Sequence, residues 1–130
     1  MKGMFDGWTE AHVINAMVRQ GRKVIPTPRV EDLSESAFAG RVRRLAQDQG
    51  FKIYHTFDSR RSPEGFPDDV LTKPGRLLFA EYKKTGGKVT EAQHCWLDLL
   101  RHSVAGVEVY VWFPKDWDAI TAILTRKDVT

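Results

Sequence analysis

Three polar residues of types that occur in active sites, Asp68, Glu81 and Lys83, fall within a predicted β-hairpin. A turn centred between Pro74 and Gly75 places Asp68 opposite Glu81, and Lys83 then shares their side of the sheet. Opposed carboxylates repel each other and are costly to bury, so they need a proton, a cation or strong hydrogen bonds. Oxygen ligands suit Mg²⁺ or Mn²⁺ rather than zinc, while a lysine can hold an attacking water or stabilise a phosphate. This set of groups has the chemistry to hydrolyse a phosphodiester.

The register of the hairpin decides which aspartate takes part. If the turn centres half a step later, Asp69 and not Asp68 faces Glu81. The other members of the face that carries Asp68 and Glu81 are apolar, so we expect a largely buried sheet there. They are Phe66, Val70, Leu77 and Phe79. On the pattern alone, a pair of surface charges on an edge hairpin explains the two carboxylates equally well.

The elements that must position these residues alternate between helical and strand periodicity. Ser34 can cap a helix that buries Phe38, Val42 and Leu45 and ends at Gly50. Strands are predicted over residues 51–57, 66–71 and 77–84, with a polar loop over residues 58–65.

The second half of the chain continues with helix, strand and helix. Thr90 and Gln93 have the spacing of a capping box, and the apolar stripe of that helix is formed by Ala92, Trp96, Leu99 and Leu100. Residues 107–113 read as a buried fourth strand. A last helix over residues 116–126 buries Trp117, Ile120, Ile123 and Leu124. The predicted fold class is therefore α/β.

The composition is that of one soluble domain. The chain has 130 residues, a net charge of +3 and one cysteine, Cys95, so an internal disulfide is excluded. We expect a cytoplasmic protein, because neither a secretory signal nor a membrane span is recognisable. Residues 1–32, with a short helix over 9–20, are interpreted as an appendage to a domain over 33–130. The mild basic excess favours a polyanionic partner without requiring one.

Two segments resemble known motifs. Residues 65–68 (GFPD) and 79–83 (FAEYK) resemble the PD and ExK motifs of the PD-(D/E)xK nucleases. Within that superfamily, the chain is most similar to the VRR-NUC domain over residues 34–124. The similarity lies in SES (34–36), YH (54–55), DSRRS (58–62), KVTEAQ (88–93) and VYVW (109–112). It implies a restriction-endonuclease-like core in which a mixed central sheet is preceded by one helix and a helix crosses between its last two strands.

The resemblance also implies roles for individual residues. Asp68, in preference to Asp69, and Glu81 would bind Mg²⁺ or Mn²⁺ together with the backbone carbonyl of Tyr82, and Lys83 would orient the water. Asp69 departs from the motif, in which an apolar residue usually occupies that position, so the packing around it is open.

Two further residues have both a functional and a structural interpretation. The resemblance implies that Glu35 completes the metal shell directly or through water, although a first-turn acid also complements the helix dipole. Gln93 would support the site, although it can also serve only as half of the capping box.

DNA contacts are expected from the loops around the site. We expect them from Arg60, Arg61, Ser62 and Lys88, although the two arginines can also be a solvated loop. A zinc site is not expected, because the paired spacing of zinc ligands is missing among His55, His94, His102 and Cys95. We interpret Trp96, Trp112 and Trp117 as core residues and not as platforms for stacked bases.

The resemblance implies a stand-alone, structure-selective DNA endonuclease similar to Holliday-junction resolvases, without an organic cofactor or a membrane partner. Single-domain members of that group tend to be viral, which would place the protein in the cytoplasm of a host cell. A junction is cut on two symmetric strands, so we expect a homodimer. Two alternatives stay open: a nucleic-acid-binding module that cleaves nothing, and a nuclease that acts on flaps, ends or single strands.

Overall fold

A computed structural model describes residues 28–56 and 60–127. Within these residues, three α-helices surround one four-stranded sheet. The elements follow the order α1 (Glu35–Asp48), β1 (Lys52–His55), β2 (Asp69–Lys73), β3 (Arg76–Tyr82), α2 (Glu91–Arg101), β4 (Glu108–Trp112) and α3 (Trp117–Thr125). Short 3-10 helices precede α1 and α3, at Val30–Asp32 and Pro114–Asp116. The predicted α/β order of elements is confirmed.

The sheet is mixed, as predicted. Its strand order is β1-β2-β3-β4, with antiparallel pairing from β1 to β3 and parallel pairing of β3 with β4. Parallel neighbours need a crossover connection, and α2 lies in that crossover. The hairpin turns between Pro74 and Gly75, since Lys73 pairs with Arg76 and Asp69 pairs with Ala80. This is the register that was predicted to bring Asp68 toward Glu81.

Helix α1 forms as its sequence predicts. The side chain of Ser34 accepts a hydrogen bond from the backbone N–H of Ala37 at 3.1 Å, which satisfies one free donor of the first turn. Phe38 and Val42, one turn apart, are fully buried. The chain leaves the helix through Gly50, whose φ of 89° lies in the left-handed region that glycine tolerates best.

The two faces of the sheet are packed differently. One face carries Leu71, Leu78 and Ala80, and all three are fully buried in the core shared with α1 and α3. The other face carries Glu81 and was expected to be largely buried, but Phe66 and Leu77 are exposed on it. That expectation was wrong. Successive side chains of a strand point to opposite faces of the sheet, and the principal core lies on the face that carries Asp69, opposite Glu81.

Helix α2 differs from its predicted apolar stripe. Leu97 is its one buried residue, Trp96 and Leu100 are half-buried, and Leu99 is 68% exposed. The stripe prediction for Leu99 was therefore wrong. Strand β4 was predicted to be buried, but it is an edge strand in which only Trp112 is buried. An apolar, β-branched run fits a half-covered edge as well as a central strand.

Strand β2 begins later than predicted, at Asp69 and not at Phe66. Pro67 has no backbone N–H to donate to a ladder, so it suits a position before the strand. At the other end, pairing with β3 carries β2 on to Lys73. Because of this late start, Asp68 is the last residue of a loop and does not lie in the middle of a strand.

The predicted helix over residues 9–20 lies outside the described residues. Of residues 1–32, which were interpreted as an appendage, residues 28–32 are described. Val30 packs against the core together with Leu33, and the Thr85 hydroxyl donates a hydrogen bond to the carbonyl of Glu31 at 3.2 Å. In the described part of the chain, none of the helices has the length and apolar character needed to cross a membrane.

Candidate active site

Glu81, Lys83 and Gln93 meet at the end of β3. The Nε2 amide of Gln93 donates a hydrogen bond to Oε1 of Glu81 at 2.8 Å. Lys83 Nζ lies 3.4 Å from the same oxygen. Glu81 is only 2% exposed and Lys83 is also buried, whereas the neighbouring Lys84 is exposed. Lys83 is therefore not a solvated surface lysine, since its amine is held beside the carboxylate.

Gln93 makes the contacts of the capping box and also contacts Glu81. Its Oε1 accepts a hydrogen bond from the backbone N–H of Thr90 at 2.8 Å, and its own N–H donates to the Thr90 hydroxyl at 3.2 Å. These two bonds complete the predicted capping box of α2. Because the cap uses the amide oxygen, the amide nitrogen remains to hold Glu81. The helix N-terminus and the carboxylate are thus fixed by one side chain.

Asp68 reaches the same region from the loop before β2. Its Oδ2 accepts a hydrogen bond from the backbone N–H of Tyr82 at 2.9 Å. This bond fixes one oxygen of Asp68 beside the strand that carries Glu81. The prediction that Asp68, and not Asp69, lies on the Glu81 side agrees with the hairpin register, because Asp69 pairs with Ala80 on the opposite face.

Gly65 allows the Asp68 loop to approach α2 closely. A β-carbon at this position would lie 2.5 Å from the backbone carbonyl group of Ala92 and 2.8 Å from the backbone nitrogen of Gln93. The φ of Gly65 is 94°, a conformation that side-chain-bearing residues rarely adopt. Glycine therefore brings the loop that ends at Asp68 against the first turn of the helix that carries Gln93.

The electrostatics of the two carboxylates are in conflict. Burial, and then the negative charge of Asp68, raise the pKa of the Glu81 carboxyl to about 7, and Lys83 opposes this shift only in part. The Lys83 ammonium group contacts Glu81, while Arg43 lies within electrostatic range of Asp68. Such a site gains stability from a proton or from a cation bound between the oxygens.

The predicted metal ligands are only partly gathered. Asp68 and Glu81 lie together, with the backbone of Tyr82 between Glu81 and Lys83. Glu35 is exposed in the first turn of α1 and borders, with Asp68, a small cleft of about 310 Å³ that Glu81 does not reach. Over residues 28–56 and 60–127, no three histidine, cysteine or acidic side chains come together as a metal-binding group. The oxygen-only donor pair still fits a hard cation such as Mg²⁺ or Mn²⁺.

Behind the site lies a polar cluster that sequence analysis missed, formed by Arg43, His55, Asp69 and Tyr82. Asp69 is fully buried and accepts hydrogen bonds from Arg43 at 2.7 and 3.0 Å and from the Tyr82 hydroxyl at 2.7 Å. His55 Nδ1 lies 2.9 Å from its Oδ1. Burial and the charge of Asp69 raise the pKa of the Tyr82 hydroxyl, which keeps it protonated as a donor.

This Asp69 cluster also touches the backbone of the site. His55 Nδ1 lies 3.1 Å from the carbonyl oxygen of Asp68. The buried Asp69 is tolerated on the core side of the sheet because three partners satisfy its carboxylate. The one signal in the sequence was the polar Asp69 within a core-facing alternation, and its partners come from α1, β1 and β3, which no local spacing connects.

The predicted DNA-contacting residues separate into two groups. Arg60 and Ser62 line a larger cleft, of about 620 Å³, that Asp68 also borders. Arg61 and Lys88 are exposed and line neither this cleft nor the smaller one. Trp96, expected in the core, is half-buried and forms part of the wall of the larger cleft. Trp112 is buried and Trp117 packs against the core, as expected.

Comparisons of the chain with protein-family models, with curated proteins and with solved structures find no match, so the chemistry of the site is inferred from its own geometry.

Proposed function

We propose that the protein is a nuclease that hydrolyses DNA phosphodiesters with the help of Mg²⁺ or Mn²⁺, on a PD-(D/E)xK core of the VRR-NUC type. The observation that carries this proposal is the buried Glu81 carboxylate, which lies beside Asp68 and keeps a pKa raised to about 7 although Lys83 contacts it. Strongly perturbed carboxylates of this kind are typical of functional sites.

The donor set fits a divalent cation. Asp68 and Glu81 would hold the ion, with the Tyr82 carbonyl and Glu35 as the further oxygen ligands that the motif implies. When bound, such an ion supplies positive charge for the phosphate and makes an attached water more acidic. One oxygen of Asp68 is fixed by the Tyr82 N–H, and one oxygen of Glu81 by Gln93. Both carboxylates are therefore oriented in advance.

Lys83 is suited to a role in the reaction because its amine is buried beside Glu81. Its Nζ is held near Glu81 and is largely excluded from solvent, where a positive charge acts more strongly than in water. From there it can position the attacking water and stabilise the negative charge that develops on the phosphate oxygens. Gln93 acts through Glu81 and is a positioning residue. The Asp69 cluster contacts the backbone of the site from behind, through His55 at the carbonyl oxygen of Asp68.

Branched DNA remains the favoured substrate, with the two symmetric cuts of a Holliday junction made by a homodimer. Flaps, ends and single strands are the rival substrates, for which one active site suffices. Sedimentation of the protein alone and with junction DNA separates the two: a monomer that cuts flaps or single strands contradicts the junction proposal.

The decisive experiment compares Lys83→Met with Lys84→Met, two adjacent lysines of which one is buried at the site and one is exposed. Junction, flap, duplex and single-stranded DNA are incubated with Mg²⁺, with Mn²⁺ and with neither. We expect Lys83→Met, and also Asp68→Asn, to lower cleavage at least about 100-fold while DNA binding is kept. Lys84→Met should cleave normally.

The opposing result is equally specific. If the wild-type protein binds these DNAs but cleaves none of them with either ion, the protein is a binding module and the enzymatic proposal is wrong. If it cleaves and Lys83→Met cleaves as well as Lys84→Met, the chemistry lies elsewhere in the chain.

A further inference from the structure

The larger cleft beside Asp68 has the composition of a base-binding site. Its volume of about 620 Å³ falls within the range of about 300–1,000 Å³ in which proteins hold small organic groups. Tyr54, Phe66 and Trp96 supply aromatic surface, and Arg60 and Ser62 supply polar groups. Asp68 belongs to both the cleft and the proposed reaction centre. An occupant of the cleft would therefore lie next to the reacting phosphate.

The strand register puts Tyr54 on the same side of the sheet as the two carboxylates. Tyr54 pairs with Val70, and Val70 pairs with Phe79, so these three side chains share a face. Glu81 lies two residues beyond Phe79 and points the same way. Tyr54 is 66% exposed on the edge strand β1, and its ring forms an open wall of the cleft.

The opposite wall is rigid. The ring of Phe66 packs edge-to-face against Trp96, with centroids 5.1 Å apart, and against Phe79 at 5.9 Å. Gly65 holds this loop against the backbone of α2. A cleft with one fixed aromatic wall and one accessible aromatic ring is preorganised for a flat group, which lowers the entropy lost on binding.

We infer that this cleft receives one unpaired nucleobase of the DNA strand that is cut, stacked on Tyr54. The inference rests on the proposed nuclease function and makes it more specific. A paired base is covered above and below by its neighbours, so only a base outside the stack can present its ring to a tyrosine. Arg60, at the same cleft, suits the phosphate next to that base. The bound substrate thus has an unpaired nucleotide beside the scissile phosphate, as in a flap or a single strand, or in a junction once a base at the crossover has left its stack.

The test is a double-mutant cycle between Tyr54 and the base. Binding is measured by fluorescence anisotropy in EDTA, with a labelled duplex that carries either one unpaired adenine or an abasic site at the same position. We expect Tyr54→Ala to weaken binding of the adenine duplex about tenfold, which is the usual effect of one stacked base. The abasic site should weaken wild-type binding by a similar factor, and should change Tyr54→Ala binding less than about twofold.

Two control variants define what the effect means. Tyr54→Phe keeps the ring and should bind like the wild type. Val104→Ala alters a residue of matched exposure, 64%, beside the hairpin turn at the far end of the sheet, and should also bind like the wild type. The inference is overturned if Tyr54→Ala and the abasic site act independently, or if Val104→Ala reproduces the loss.

Because cleavage is not measured, the two proposals can fail separately. Coupling between Tyr54 and the base in a protein that never cleaves DNA would retain the cleft and remove the nuclease. Metal-dependent cleavage without that coupling would retain the nuclease and remove the cleft.

Discussion

Strand β3 buries charge at both of its ends, but it does so in opposite ways. At the hairpin turn, Arg76 donates hydrogen bonds to both oxygens of Glu108, at 3.0 and 2.7 Å, and to the carbonyl of Ile123 at 2.8 Å. At the other end, Glu81 lies beside Asp68, and Lys83 is the cation that contacts Glu81. The first end surrounds one acid with matched hydrogen bonds and with two arginines, Arg76 and Arg126, whereas at the second end the negative charge of Asp68 acts on a buried acid.

The pKa values of the two glutamates differ accordingly. Partial burial tends to raise the pKa of Glu108, but the hydrogen bonds and charge of Arg76 outweigh it and hold that pKa below its ordinary value. The pKa of Glu81 is raised to about 7 by burial and by Asp68. The Arg76–Glu108 pair is explained by the fold alone. An acid whose pKa is raised in this way gains stability from a proton or a bound cation, and such perturbed groups are typical of functional sites.

The largest effect is expected where the balanced end is broken. Arg76→Met leaves the partly buried Glu108 with Tyr110 and the exposed Arg126 as partners, and we expect it to lower the free energy of unfolding by about 3 kcal/mol. Thermal and urea denaturation measure the loss. The matched control is Arg101→Met, which removes an exposed pair with Asp98 and should change stability by less than about 1 kcal/mol. Equal losses in the two variants would contradict a structural role for the Arg76 end.

The unbalanced end should respond in the opposite direction. The folded-state pKa of Glu81 lies above its unfolded value, so its contribution to stability is present below about pH 4.5 and is lost as the pH rises through about 7. In EDTA, Glu81→Gln should therefore be more stable than the wild type by about 2 kcal/mol at about pH 8.5, with little difference at about pH 4. Urea denaturation at both pH values measures this.

Glu108→Gln is the control for that experiment, because it alters the same residue type in β4, beside the other end of β3. It should destabilise the protein at neutral pH, since the lowered pKa of Glu108 means that its ionised form favours the folded state. Added Mn²⁺ should stabilise the wild type and leave Glu81→Gln almost unchanged. If Glu81→Gln is destabilising at high pH, the Glu81 carboxylate is already balanced and the comparison fails.

The smallest effect is expected at Gln93, where the structural and functional roles meet in one side chain. Gln93→Glu keeps an oxygen for the Thr90 N–H but loses the amide donor to Glu81 and adds a third acid. Gln93→Ala loses both contacts and should cost about 1 kcal/mol of stability. Gln93→Glu keeps the cap, so its loss of stability should grow as the pH rises and the two glutamates repel each other, whereas the loss in Gln93→Ala should depend little on pH. Both variants should lower cleavage. Urea denaturation and initial cleavage rates separate the two roles, and parallel losses would mean that capping is the only one.

What the sequence predicted correctly depended on local rules. Ser34 and Thr90 cap the helices as their spacing indicated, and the turn at Pro74 and Gly75 set the hairpin register. The pattern left open whether Asp68 or Asp69 faces Glu81, and the observed register is the one that brings Asp68 to Glu81, with Lys83 one residue beyond the end of β3. Each of these inferences needed only neighbouring residues and one short turn.

What the sequence did not predict depended on contacts between distant segments. Nothing local connects Arg43 with Asp69, 26 residues further on. The stripe of α2 was assigned from periodicity, but the sheet covers Leu97 and leaves Leu99 exposed. Which part of an amphipathic helix is covered depends on how the helix lies on the sheet, and that is a tertiary property.

Tyr82 binds the two consecutive aspartates through different groups, Asp68 through its backbone N–H and Asp69 through its hydroxyl. If β2 slid by one residue along β3 during folding, both bonds would break together and a charged carboxylate would enter the apolar core. The misaligned hairpin therefore loses two hydrogen bonds at one residue, Tyr82. These two bonds favour the register that brings Asp68, and not Asp69, to the site.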